Sequence, residues 1–152
     1  RGMFAIGIWD GKRKQIILVR DRLGQKPIYY FRDNERIVFS SELKSILING
    51  DISKEIDYVA LNAYLTLDYI PAPLTIYKGI KKLPAGHILV CNNDNITIKK
   101  YWGLDLSPGQ KNAATVDIRG YVEELKNQLI DVVRAGLLNL ISRRFNHPSI
   151  SP

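Results

Sequence analysis

Three clusters of turn-forming residues punctuate this chain, and each stands between two short runs rich in β-branched and aromatic residues. They are Asp10-Gly11-Lys12-Arg13-Lys14, Arg32-Asp33-Asn34-Glu35 and Asn92-Asn93-Asp94-Asn95. Runs this short, separated by Asp-Gly or Asx-rich turns, read as strands folding back on their neighbours. The pattern predicts paired strands over 3–9 and 15–20, 27–31 and 36–40, and 88–91 and 96–102. Antiparallel hairpins are the frame that every other element must fit.

Two helices fit between the hairpins. Ser40 or Ser41 offers an N-cap oxygen, and Glu42 brings negative charge to the start of a short helix through Leu43, Ile46 and Leu47. Asn49-Gly50 is its stop. Asp57 caps a second helix carrying Val59, Ala60, Ala63, Tyr64 and Leu67. Pro71-Ala72-Pro73 halts it and leaves an extended connector toward the turn Leu83-Pro84-Ala85-Gly86-His87. His87 reads as structural or surface-bound rather than catalytic.

Residues 104–116 are polar and contain Pro and Gly, as a linker would. From Asp117 onward Tyr121, Val122, Leu125, Leu129, Val132 and Val133 recur at three- and four-residue spacing, predicting an amphipathic helix whose apolar stripe needs a partner. Gly120 weakens it by about 1 kcal/mol relative to Ala if it lies inside. Residues 143–152 show no periodicity and two prolines, and read as an irregular end.

The connection between the first two hairpins is unusual. Arg20-Asp21-Arg22-Leu23-Gly24 puts three charges and a glycine between two apolar strands. That arrangement suggests a turn held by its own ion pairs.

Bulk properties narrow the classes. A chain of 152 residues fits one domain, or one domain plus a stub. The net charge of +7 would suit a polyanion, but the basic residues are scattered at turns and strand ends, so no nucleic-acid partner is expected. No apolar run suits a membrane span and no segment reads as a signal peptide. The single cysteine, Cys91, fits a packed thiol in a reducing cytoplasm. One cysteine and two distant histidines give no metal-ligand spacing.

A set of motifs carries a resemblance. It comprises Gly2-Met3-Phe4-Ala5, Trp9-Asp10, Arg20-Asp21-Arg22-Leu23-Gly24 followed by Lys26-Pro27, and Ser40-Ser41-Glu42 followed by Lys44. It continues through Tyr69-Ile70-Pro71, Pro73, Thr75-Ile76-Tyr77, Gly79-Ile80, Lys82-Leu83-Pro84, Gly86-His87 and Tyr101-Trp102. In this order and spacing, over roughly residues 1–135, the chain resembles the glutamine-hydrolysing asparagine synthetases, class II N-terminal-nucleophile amidotransferases.

The resemblance implies an α+β fold: residues 1–102 as the later part of an αββα sandwich of antiparallel sheets that releases ammonia from glutamine. It implies a linker over 103–116, the first helix of an α/β synthetase domain over 117–142, and a divergent tail over 143–152. The family enzyme uses ATP and Mg2+ to activate aspartate for attack by ammonia, and a homodimer is compatible with it. The family's nucleophile is an N-terminal cysteine whose own amine acts as base. Arg1 supplies no thiol, and the chain reads as an internal fragment. No Gly-rich phosphate loop of the family kind is present. The resemblance therefore implies a fragment without either half-reaction and binding neither cofactor.

For the motif residues Arg20, Asp21, Arg22, Gly24, Lys26, Pro27, Ser40, Ser41 and Glu42 two readings stand. One places them beside the glutaminase pocket or its contact with the synthetase; the other, preferred, makes them structural, with Asp21 tying backbone amides and an arginine. A different carboxylate acceptor and a non-catalytic scaffold or regulatory module are the rival functions.

Overall fold

Asp10 and Asp33 close the first two hairpins by the same device. Asp10 Oδ1 accepts the amides of Lys12 and Arg13 at 3.1 Å each, and Asp33 Oδ1 accepts those of Glu35 and Arg36 at 2.9 Å each. A short carboxylate that captures amides two and three residues ahead fixes a turn locally. In the first turn the left-handed residue is Lys14, with φ 49°, rather than Gly11.

The computed structural model describes residues 2–92, 95–104 and 118–145, with side chains in the last stretch described to residue 137. Most of the expected linker, the middle of the third turn and residues 146–152 lie outside the described residues. The chain divides into two units, Arg1–Asp105 and Leu106–Pro152.

The first unit is α+β. Its elements are β1 (Ala5–Asp10), β2 (Gln15–Arg20), β3 (Tyr29–Arg32), β4 (Ile37–Ser40), α1 (Leu43–Leu47), α2 (Tyr58–Leu67), β5 (Ile80–Lys82), β6 (His87–Cys91) and β7 (Ile96–Lys100). They form a four-stranded sheet in the order β1-β2-β6-β7 and a three-stranded sheet in the order β4-β3-β5. Every pairing within the two sheets is antiparallel.

Strand β5 corrects the expected extended connector. Only one of its three residues is apolar, and it becomes a strand by pairing Ile80, Lys81 and Lys82 with Phe31, Tyr30 and Tyr29. Tertiary pairing, not local propensity, decides such a segment.

The sheets pack on each other through Leu18, Leu89 and Cys91 of one and Tyr30 of the other, with Ile28 and Leu83 completing the cluster. Cys91 thus serves as a small apolar core residue. Each large aliphatic side chain so buried contributes about 2 kcal/mol. The opposite face of the three-stranded sheet carries Tyr29, Phe31 and Val38 against Ile46 of α1, with Ile52 and Ile80 in the same cluster.

Period-2 alternation aims the remaining aliphatic residues of the larger sheet the other way. The rows Ile6-Val19-Ile88 and Ile8-Ile17-Val90 are in register, out of phase with Leu18 and Leu89. At the edge strand Ile6 and Ile8 remain 41% and 48% exposed.

Helix α1 corrects the expected cap. Glu42 occupies the N-cap with no side-chain capping bond. Ser40 ends β4, and its hydroxyl accepts the Glu42 amide at 3.1 Å; Ser41 is exposed. The sheet holds Ser40 extended too early to reach the second or third helical amide. Gly50 is not left-handed, and the Asn49 amide closes back on the Ile46 carbonyl instead. Helix α2 starts on Asp57, whose Oδ1 accepts the Val59 and Ala60 amides at 2.9 and 3.1 Å. It has no charged residue and is apolar on almost every side, yet only Ala60 is buried.

In the second unit α3 spans Ile118–Phe145. Its backbone runs three residues into the segment expected to be irregular, whose first proline is Pro148. Tyr121, Val122, Leu125, Leu129, Val132 and Val133 are exposed on it.

Candidate functional site

The charged turn after β2 is anchored by its backbone partners. Asp21 is 1% exposed. Its carboxylate accepts the amides of Gln25 and Lys26 at 2.9 Å each and of Phe4 at 3.3 Å. Its own amide donates to the Phe4 carbonyl, and its carbonyl accepts the amides of Gly24 and Gly86. Burial alone would raise its pKa, but the amides of Lys26, Gln25, Phe4 and Gly24 outweigh that and hold it below its ordinary value.

Arg20 is buried beside it and donates to three carbonyls: Lys26 through Nε at 2.9 Å, Leu83 through Nη1 and Gly24 through Nη2 at 2.6 Å each. Burial lowers its pKa, opposed by the charge of Asp21. Among the described residues no ion pair joins the charges of this turn. The expectation of a turn held by ion pairs is therefore corrected. The two buried charges use their bonding capacity on backbone groups, which a turn leaves unpaired and a buried charge requires.

Gly24 and Gly86 are needed by this packing. Both have positive φ, 68° and 66°. A Cβ at Gly24 would stand 2.9 Å from Arg20 Nη2, and one at Gly86 would run into the Trp102 carbonyl oxygen. Lys26 contributes its backbone while its side chain is exposed, and Pro27 leads into buried Ile28.

Arg22 is exposed and lies over the Trp102 ring, 5.8 Å from its centroid. Such a contact contributes about 0.5–1 kcal/mol at an exposed site. The Tyr101 hydroxyl donates to the Arg20 carbonyl at 2.7 Å. Tyr101 and Trp102 join the turn from about eighty residues away, a link that local turn chemistry does not disclose. Lys82 Nζ donates to the Ile70 carbonyl and stands over Tyr29; burial, then the charge of Arg20, lowers its pKa.

Ser40, Ser41 and Glu42 lie at the end of β4 and the start of α1. Glu42 forms an exposed ion pair with Lys44 at 3.0 Å, a contact of little energetic weight. His87 Nδ1 faces the Ala85 carbonyl at 2.7 Å. Among the described residues no group of three His, Cys, Asp or Glu side chains could hold a metal ion.

Residues 1–102, two antiparallel sheets threaded through this turn, match the glutamine amidotransferase domain. The chain belongs to that family. A Methanocaldococcus jannaschii protein assigned as glutamine-hydrolysing asparagine synthetase 2 is 41% identical over 135 residues, covering 88% of this chain and 26% of the relative. Glutamine-hydrolysing asparagine synthetases 3 and 1 of Bacillus subtilis are 37% identical over 105 residues and 33% identical over 135. They cover 68% and 88% of this chain, and 17% and 20% of the relatives. The chain thus spans about a quarter or less of the length of these relatives.

Proposed function

We propose that residues 1–102 are the later part of the glutaminase half of a glutamine-dependent asparagine synthetase. In this reading 103–116 form the linker, 117–142 open the synthetase half and 143–152 depart from the family pattern. One observation carries it: the likeness to two synthetases extends over 135 residues, past the 102 that the amidotransferase domain accounts for. An amidotransferase domain serving an unrelated partner gives no reason for that extension.

The two sheets packed face to face, with α1 beneath one of them, support an αββα sandwich. The aliphatic rows on the outer face of the larger sheet are the natural seat of its second helical layer. The intact enzyme would convert glutamine, aspartate, ATP and water into asparagine, glutamate, AMP and pyrophosphate, as a cytoplasmic protein and a homodimer. Among the described residues no helix is long and apolar enough to cross a membrane.

ATP and Mg2+ belong to that intact enzyme. The described residues give them little to hold on to: the space beside Gly24 and Gly86, the glycines of the motif turns, is filled by protein atoms, and no group of three His, Cys, Asp or Glu side chains offers a cation seat. A related amidotransferase acting on another carboxylate is the second reading; the observation behind it is that the likeness also reaches a Gibberella zeae protein named as an amidase and not as a synthetase, 30% identical over 139 residues.

The test is a chimera in which the 135 matched residues replace their counterparts in Bacillus subtilis asparagine synthetase 1. Glutamine, aspartate and ATP with Mg2+ should yield asparagine and glutamate in near-equal amounts. A soluble chimera that forms neither product defeats the reading.

A further inference from the structure

We infer that Tyr101 and Trp102 form a clasp fixing the point where the chain leaves its first unit, and that these positioning residues keep ammonia release and amide transfer in step in the intact synthetase. The inference rests on the glutaminase reading proposed above.

Strand β7 ends at Lys100, so the sheet ladder holds neither residue. They are instead bonded to two distant turns. The Tyr101 and Trp102 amides both donate to the Gly86 carbonyl, at 2.9 and 3.1 Å. Gly86 is itself pinned by its amide to the Asp21 carbonyl at 2.9 Å, and the Trp102 carbonyl fills the place of its missing side chain. The Tyr101 hydroxyl reaches the Arg20 carbonyl, and the Arg20 guanidinium is locked by three carbonyls. Arg22 covers the Trp102 ring.

Two residues beyond Trp102, Leu104 is 70% exposed. Burying two charges is costly, and here the cost is offset by six bonds to backbone groups around the turn. The main chain of the same two residues completes the link: the Arg20 carbonyl accepts the Tyr101 hydroxyl, and the Asp21 carbonyl accepts the amide of Gly86, whose own carbonyl holds residues 101 and 102.

A rigid point of departure matters when one half of an enzyme makes a small nucleophile that the other half consumes. Ammonia that is not delivered in the productive arrangement is lost to water, and delivery depends on relative placement. A clasp at the root of the connecting segment fixes one of the two ends on which that placement depends, without touching glutamine or aspartate.

Hydrogen exchange on this chain reads the clasp directly. In the Tyr101→Phe, Trp102→Ala double variant, the amides of residues 101–102 should exchange about tenfold faster while those of β2 and β6 keep their protection. If the double variant unfolds, Tyr101→Phe alone carries the comparison, because it removes only the hydroxyl. In the chimera, the double variant should hydrolyse glutamine at an unchanged rate while glutamate formed per asparagine rises about threefold. Trp102→Phe, which keeps a ring under Arg22, should restore the ratio. Unchanged exchange overturns the clasp, and faster exchange with an unchanged ratio overturns its role in coupling. A soluble unsubstituted chimera that hydrolyses no glutamine removes the glutaminase reading and with it the coupling role, while exchange still decides the clasp.

Discussion

The Tyr101 hydroxyl donates a hydrogen bond to the Arg20 carbonyl, 2.7 Å away across 81 residues of chain. It joins the end of the larger sheet to a turn whose two buried charges are already committed to backbone groups. The bond is a consequence of that turn as much as a cause of it, because three carbonyls hold the arginine that presents the acceptor. Four sites around this network and the surfaces beyond it make distinct experimental demands.

Gly86→Ala should destabilise the first unit by about 2 kcal/mol or more, since it forces an alanine into positive φ and against a backbone carbonyl. Gly50→Ala is the control: Gly50 is not left-handed and nothing stands within 4 Å of its added Cβ. Denaturant titration of both should separate them clearly, and equal midpoints would contradict the packing around Gly86.

Asp21→Asn should cost about 2–3 kcal/mol at neutral pH, as charge-assisted bonds to three amides weaken. The carboxyl titrates lower in the folded chain than in the unfolded one, so protons favour the unfolded chain. Its stabilisation is full above the ordinary value of 3.8 and is lost as pH falls through the lower folded value. Thermal melts between pH 2 and pH 7 should show less acid destabilisation in the variant (a range of about five units suffices). An identical pH dependence would assign the acid sensitivity elsewhere.

Asp57→Ala should cost about 1 kcal/mol, whereas Ser41→Ala should be nearly neutral. The first removes a cap bonded to two helical amides; the second alters an exposed side chain outside the cap position. A loss at Ser41 matching that at Asp57 would restore the serine cap.

Ile8→Lys with Val90→Thr should reduce binding of an apolar dye and lower light scattering, at little cost in stability. Ile8 is half exposed, and both positions belong to the aliphatic rows opposite the core. Leu89→Ala, on the inward side of the same strand, should cost about 2–5 kcal/mol. Equal losses in both variants would place the core on the wrong face.

The hairpins were legible because the residues that make their turns are adjacent to one another: Asp10 and Asp33 bond amides two and three positions ahead. Asp57 was legible for the same reason. Strand β5 was not, since its identity resides in Tyr29, Tyr30 and Phe31 across the ladder. Ser40 misled because it satisfies the local rule for a cap but belongs to a strand that ends too soon. Around the charged turn, the sequence disclosed which residues are special but not their partners. Arg20 and Asp21 stand side by side, so mutual pairing was the obvious reading. Their actual partners include Leu83 and Phe4, distant in the chain and recognisable only once the sheets bring them together.

The order β1-β2-β6-β7 also has a history in it. The β1–β2 and β6–β7 pairings can form as local hairpins, each closing a loop of a few residues. The β2–β6 ladder joins Ile16 to Cys91 and Val19 to Ile88, so it must close a loop of about seventy residues that contains the entire smaller sheet. Of the three pairings in this sheet, the seam between β2 and β6 therefore carries the largest loop-closure cost.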